Sequence, residues 1–453
     1  MFHSINPYTQ QILATFKPAT AKEVKQIVHT SNVTQLKWKQ LAINSRAQKV
    51  LQLGKLIEKN HEDLAKLATL EMGKTLNEAK LEVLKCITAC TYYAQQAASL
   101  IKPISTVHTD GRTVQILFEP MGVILGIFPW NFPYWQIIRS AIPIIMAGNT
   151  MLVKPAPNTI QCAQALQKLV NDAGLGDGII ETLLLTDTQV AELIEDKRIK
   201  ACTLTGSEKA GATVASLAAN QIKKSVLELG GSDPFIVLDD ADLSLVMSNA
   251  VSARFQNNGQ SCIASKRYIV HEKIATTFTT KLITATNALV QGNPLDPTTQ
   301  IGPLARIDLK EKLAQQVAES VKKGAKIAYQ AKLNLDSPCF FPPTILHHIP
   351  KNTPAYSEEL FGPVIALFVV KNDEEAISLA NDTEFGLGAS VWSANKKRAA
   401  TVASKLEAGQ VFINAVTRSN AAFPFGGIKK SGYGREMGEY GLKEFCYVKS
   451  IWV

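Results

Sequence analysis

Val123-Ile124-Leu125-Gly126-Ile127-Phe128-Pro129-Trp130-Asn131-Phe132-Pro133, followed further on by Thr150-Met151-Leu152-Val153-Lys154-Pro155, is the stretch that decides how this chain folds. The first run stays apolar until it meets an asparagine held between two prolines. Arg139 is the only charged residue between Glu119 and Lys154, so a membrane span has to be considered. Pro129, Asn131, Pro133, Pro143 and Gly148-Asn149 cut the stretch into pieces shorter than the ~20 apolar residues that a span requires. It reads instead as buried strand, turn, helix, turn and buried strand.

Working outward, the same alternation continues. Residues 46 to 100 read as helical, with Leu64, Leu67 and Ala68 on one face and Gly73 as the stop between two helices. Residues 112 to 119 alternate as a strand. Strand 123–128 leads into a helix over 134–147, and strand 150–153 into a helix after Asn158. Strand 182–185 leads into a helix over 188–195, and strand 201–204 into one over 207–219. Such alternation predicts parallel strands with crossover helices, an α/β architecture of the nucleotide-binding type. The pattern restarts near Glu228, with strand 234–238, helix 243–255 and strand 267–270, so a second α/β domain is expected from about Gly231. Residues 292 to 306 are rich in turn formers and read as an ordered surface loop. Residues 445 to 453 read as a strand that pairs with another chain's sheet edge.

Composition narrows the function classes. The 453 residues suit two or three domains, and 46% hydrophobic with 19% charged residues describes a soluble globular protein. The net charge of +9 comes without a lysine and arginine block that could track a nucleic acid. It can still steer anionic cofactors and substrates toward the protein. The seven cysteines are odd in number, scattered and without a Cys-x-x-Cys pair, so neither a disulfide framework nor a zinc site is expected. His347-His348 would face opposite ways on a strand, and no metal site is expected. The N-terminus lacks a basic region followed by an apolar one, which predicts a cytoplasmic protein.

Cys262 lies in Gln256-Asn257-Asn258-Gly259-Gln260-Ser261-Cys262, a polar turn that can expose its sulfur. Glu228 lies upstream in Leu227-Glu228-Leu229-Gly230-Gly231, where neighbouring glycines would let it swing toward the thiol. A thiolate nucleophile and a carboxylate that activates water suit covalent acyl transfer; a buried structural cysteine is the competing reading. Leu204-Thr205-Gly206-Ser207 joins strand to helix and reads both as a cap and as a pyrophosphate cradle. No Gly-x-Gly-x-x-Gly run follows the early strands. Lys154, at the end of a buried strand, is placed either for ribose and phosphate oxygens or as a snorkelling surface lysine. Asn131 offers a fixed amide for an oxyanion hole, or caps the next helix.

Together with Leu152-Val153-Lys154-Pro155, Glu358-Glu359-Leu360-Phe361-Gly362-Pro363 and Phe425-Gly426-Gly427-Ile428-Lys429-Lys430-Ser431-Gly432, these motifs resemble the aldehyde dehydrogenase superfamily over nearly the whole chain. Leu229-Gly230-Gly231-Ser232-Asp233-Pro234-Phe235 and the compact N-terminus look most like the short bacterial succinate-semialdehyde dehydrogenases. The resemblance implies a Rossmann-like cofactor domain (residues 1–102 and 121–230), an α/β catalytic domain (231–424) and a small β oligomerisation element (103–120 and 425–453) in a homodimer or homotetramer. It makes Cys262 the nucleophile, Glu228 the general base, and Asn131 with the Cys262 amide the oxyanion hole. Trp130, Lys154, Pro157, Gly206, Ser207, Leu229, Glu359 and Phe361 would bind the cofactor. Many NAD-preferring relatives carry a glutamate where Pro157 stands, so NADP should be accepted beside NAD. Arg139, Trp135 and Ser419 would bind an aldehyde that bears a carboxylate, with pairing to a structural carboxylate as the alternative for Arg139. Some relatives place a second arginine where this chain has Gln256. The implied reaction is oxidation of succinate semialdehyde to succinate, with broader aldehyde oxidation as the alternative.

Overall fold

The computed structural model describes residues 1–333 and 337–453. One sheet has six strands in the order Gly432–Tyr433, Lys224–Glu228, Ile199–Thr205, Val123–Ile127, Thr150–Lys154 and Ile180–Thr182. All neighbours are parallel except Gly432–Tyr433, which runs against Lys224–Glu228. Its central strands Val123–Ile127 and Thr150–Lys154 are almost wholly apolar and buried because both faces are covered. Ile124, Met151 and Val153 pack with helices Ile43–Lys59, Leu76–Leu100 and Trp135–Met146, whereas Val123, Leu125 and Leu152 pack with helices Asp187–Glu195 and Glu208–Asn220.

Strand Val123–Ile127 comes first in this parallel series. The next two strands are added on one side of it, and the following two on the other. Ligands in such sheets sit outside the carboxyl ends of the strands, at this reversal. The register puts Ile127 beside Lys154 and Leu204, and Thr205 beside Glu228. The turns that begin at Pro129 and Gly206 therefore leave from one edge.

A second, seven-stranded sheet runs Lys326–Gln330, Thr344–His347, Val364–Val370, Arg267–His271, Pro234–Val237, Gly388–Trp392 and Gln410–Ile413, with only Lys326–Gln330 antiparallel. Glu228 ends a strand of the first sheet and Pro234 begins one of the second. Cys262 precedes strand Arg267–His271, so it lies at the junction of the two sheets. A three-stranded antiparallel sheet joins Cys446–Trp452, Thr113–Pro120 and Ile104–Val107.

Several expectations need correction. The 46–100 region breaks twice, at Asn60 and at Gly73, giving Ile43–Lys59, His61–Met72 and Leu76–Leu100. Asn60 adopts non-helical angles and Gly73 a left-handed one, with φ of 81°. The strand expected at 182–185 is Ile180–Thr182. The 292–306 loop is only partly on the surface: Ile301, Leu304 and Ala305 are buried, and a Cβ on Gly302 would meet the Gly73 carbonyl at 2.3 Å. Strand Cys446–Trp452 pairs on one side along Thr113–Pro120 of its own chain and is the outer strand of that sheet, so its other edge is left for the pairing expected with another chain. Residues 425–445, expected in the same small β element, instead supply Ile428–Lys429 to Phe385–Gly386 and Gly432–Tyr433 to the Glu228 strand. His348 leaves the strand with φ of 50°, so its ring meets that of His347 rather than facing away. No group of three or more metal-ligating side chains occurs among the described residues, and no helix among them is long and apolar enough to cross a membrane.

Candidate active site

The turn before Cys262 is shaped by its own residues. Asn257, Asn258 and Gly259 are consecutively left-handed, with φ of 55°, 57° and 74°. Asparagine and glycine tolerate that region best. A Cβ on Gly259 would lie 2.4 Å from the Gly362 carbonyl carbon, so the turn packs directly on Phe361-Gly362-Pro363. The Asn257 amide donates to the backbone oxygens of Asn131 and Gln260 at 2.9 and 3.0 Å, and Asn131 Nδ2 donates to Gln260 O at 3.1 Å. Asn131 and the nucleophile turn are thereby tied together. Lys266 completes the clamp: its ammonium donates to Ser261 O at 2.7 Å and Cys262 O at 2.6 Å, and lies 3.1 Å from Glu359.

Cys262 is partly exposed and lines two cavities. Burial pushes its thiol up to about 12, against a smaller opposite pull from Arg139 and Lys266. Glu228 is buried, and neither carboxylate oxygen has a hydrogen-bond partner among the described residues. Burial raises its pKa to about 8, and the neighbouring carboxyl of Glu436 adds to the rise. Glu436 itself is raised by burial. A Cβ on Gly426 would sit 2.9 Å from Glu228 Oε1, so the glycine leaves room for this carboxyl.

The first cavity, about 420 Å³, opens at the carboxyl edge of the six-stranded sheet. Trp130, Asn131, Gly206, Ser207, Leu229, Glu359 and Phe361 all line it, together with Cys262. Ser207 Oγ accepts from Ala210 N–H at 3.3 Å and caps the thirteen-residue helix Glu208–Asn220, whose start faces the cavity. Trp130 and Phe361 meet edge to face at 5.8 Å. A helix start for phosphates, with aromatic rings beside the thiol, fits a nicotinamide dinucleotide. Lys154 stands at the end of its strand with its pKa lowered by burial, and exposed Pro157 follows in the next turn; neither lines this cavity. Glu359 is partly committed, accepting Gly231 N–H at 3.1 Å as well as facing Lys266.

The second cavity, about 330 Å³, is lined by Trp135, Arg139, Gln256 and Ser419, as the sequence suggested, and also by Glu78, Glu82 and Lys85. Arg139 is not free. Its Nε lies 2.6 Å from Glu436 Oε2, both side chains are 3% exposed, and its Nη2 reaches Thr205 Oγ1 at 3.3 Å. This is the structural pairing held open above as the alternative. Glu78, Glu82 and Lys85 fall on one face of helix Leu76–Leu100, at positions i, i+4 and i+7. Glu78 accepts Asn257 N–H at 2.6 Å. Glu82 accepts the amides of Tyr134 and Trp135 at 2.8 and 3.0 Å, capping a helix that lacks a side-chain cap of its own. The Lys74 ammonium pairs with Glu82 at 2.5 Å. Lys85 donates to Ser419 Oγ at 2.7 Å and lies 4.4 Å from the Trp135 ring.

Reading the sequence missed Glu82, Lys85, Lys266 and Glu436. One signal was available for Glu436, since a lone arginine in an apolar helix requires a buried carboxylate partner. Helix Leu76–Leu100 offers no comparable signal, because its charged residues look like a solvated face.

The model of the aldehyde dehydrogenase family matches residues 1–451. The chain is 41% identical over 449 residues to the succinate semialdehyde dehydrogenase [NAD(P)+] Sad of Escherichia coli (strain K12), covering 99% of this chain and 97% of that one. It is 46% identical over 451 residues to a probable succinate-semialdehyde dehydrogenase [NADP(+)] of a Synechocystis strain, covering 99% of each. The solved succinic semialdehyde dehydrogenase of Streptococcus pyogenes in complex with NADP+ superposes with a TM-score of 0.98 at 36% identity, covering 100% of both chains. With its two α/β sheets meeting at Cys262, the chain belongs to the aldehyde dehydrogenase family.

Proposed function

We propose that the protein oxidises succinate semialdehyde to succinate with NADP or NAD, using Cys262 as nucleophile and Glu228 as base. The observation that carries this reading is that Cys262 lines both cavities, one fitted to a dinucleotide and the other furnished with cations. The relatives' names support the same substrate and NADP.

In this reading the Cys262 thiol gives up its proton to solvent water and its sulfur bonds to the aldehyde carbon. The second N–H of the Asn131 amide and the Cys262 backbone amide face the resulting oxyanion. A bound nicotinamide dinucleotide supplies the acceptor for the aldehyde hydrogen. Loss of that hydrogen leaves a thioester on Cys262. Glu228 then takes a proton from water, the hydroxide adds to the thioester carbon, and the Cys262 thiolate leaves as the free acid forms. The two bare oxygens of Glu228 suit this role, because a water can occupy them without displacing a protein partner. Trp130, Lys154, Gly206, Ser207, Leu229, Glu359 and Phe361 bind the dinucleotide, and Pro157 omits the negative charge that would repel a 2′-phosphate. Trp135, Arg139 and Ser419 form the wall that meets the substrate's carboxylate end.

The test compares kcat/KM for succinate semialdehyde with that for butanal, using each cofactor. A preference of about tenfold or more for the charged aldehyde is expected; equal values would assign the enzyme to uncharged aldehydes. The exposed side chains of Tyr447, Val448 and Trp452 on strand Cys446–Trp452 support a homodimer or homotetramer. Sedimentation as a monomer would discard that part.

A further inference from the structure

Five charged side chains line the substrate-side cavity and can be sorted by what already satisfies them. Glu78 is held by the Asn257 amide, Glu82 by Lys74 and two backbone amides, and Arg139 by Glu436. Lys85 and Arg418 have no carboxylate within ion-pair distance among the described residues; Arg418 is exposed, whereas Lys85 is half-buried and its one hydrogen-bond partner is the neutral Ser419 hydroxyl. Ser419 Oγ accepts from Lys85 Nζ at 2.7 Å and from Trp135 Nε1 at 3.2 Å. Its own hydroxyl proton is thereby turned away from both donors. Two further ammonium protons of Lys85 also remain. Lys85 comes from one helix, Trp135 from another and Ser419 from the loop after strand Gln410–Ile413, so the group is assembled only by the fold.

We propose that Lys85, with the Ser419 hydroxyl, is a further group that receives the carboxylate of the substrate, beside Arg139, whose Nε is paired with Glu436. This rests on the reading of the cavity as a site for a carboxylated aldehyde and names a further residue that selects it. Three donors converging from Lys85 and Ser419 match the acceptor-only chemistry of a carboxylate. An uncharged aldehyde of the same length would leave them unsatisfied, which is a strong basis for discrimination. Burial, aided by Arg139, lowers the Lys85 pKa to about 8, as befits a cation whose counter-charge arrives with the ligand.

The experiment measures, for wild type and for Lys85→Met, the ratio of kcat/KM for succinate semialdehyde to that for butanal with saturating NADP. Each ratio is taken within one protein sample, so partial inactivation does not affect it. The ratio is expected to fall by about 10- to 150-fold in Lys85→Met, the span of one hydrogen bond to a charged group, mainly through KM for succinate semialdehyde. Lys85→Arg should retain part of the preference. If Lys85→Met does not fold, Lys85→Gln and Ser419→Ala read the same ratio. A wild-type preference that persists in these variants overturns the assignment to Lys85 alone. A wild-type enzyme without any preference overturns the semialdehyde reading, and the assignment with it.

Discussion

The two cavities that meet at Cys262 are built in different ways. The cofactor-side cavity takes its critical groups from turns at strand ends: Trp130 and Asn131 after one strand, Gly206 and Ser207 after another, Leu229 after a third. The turns set where these groups stand, and Asn131 is in addition tied to Gln260 and Asn257. The substrate-side cavity is made of side chains on helices Leu76–Leu100 and Trp135–Met146 and on a loop more than 270 residues further along. Its charges are set by partners distant in sequence, such as Glu436 for Arg139. The lesson is that a backbone-built site announces itself as motifs, while a side-chain-built site is defined by which charges remain uncancelled.

Breaking the wall common to both cavities should have the largest effect. Cys262→Ala is expected to lower aldehyde-dependent reduction of NADP by at least roughly 10⁴-fold, with NADP binding retained by fluorescence titration. Activity near wild type would remove Cys262 from the chemistry. Glu228→Gln should lower steady-state turnover by about 10²–10⁴-fold yet leave a rapid burst of reduced cofactor of about one per active site. Loss of the burst as well would place Glu228 before the thioester rather than after it.

On the substrate side alone, Arg139→Met should destabilise the protein by about 3–5 kcal/mol in urea unfolding, because it strands buried Glu436 without its partner. A variant as stable as wild type would show that the pair contributes no more than a surface contact.

The pH profile sharpens the role of Glu228. Its pKa is raised to about 8, so at neutral pH the base is mostly protonated. Activity limited by thioester hydrolysis should therefore rise about tenfold per unit below pH 8 and level off above it, a dependence that Glu228→Gln should lose. Stability runs the other way. The unfolded chain releases this proton near 4.5 and the folded protein retains it until about 8, so the stability linked to Glu228 is lost as pH rises through that interval. The smallest effect is expected at the rim of the cofactor side. Pro157→Glu should shift the NADP-to-NAD ratio of kcat/KM by about tenfold toward NAD through like-charge repulsion; an unchanged ratio would detach Pro157 from the 2′-phosphate.

The sequence by itself determined the α/β alternation, the strand-end turns and the pairing of Cys262 with Glu228 as candidates. These are local matters: apolar runs must be buried strands, and prolines, glycines and asparagines dictate the turns between them. Legibility failed where local cues were weak, as at Asn60 inside an apparently continuous helix, or where pairing was long-range, as in residues 425–445. Only the tertiary structure decided that Glu228 is buried with both oxygens bare, that Glu82 caps the Trp135 helix, and that Arg139 is already paired with Glu436. It also brought Lys85 to Ser419. The physical reason is that a side chain's net charge in a cavity depends on what lies within a few ångströms, and residues 85, 139, 419 and 436 become neighbours only when the chain has folded.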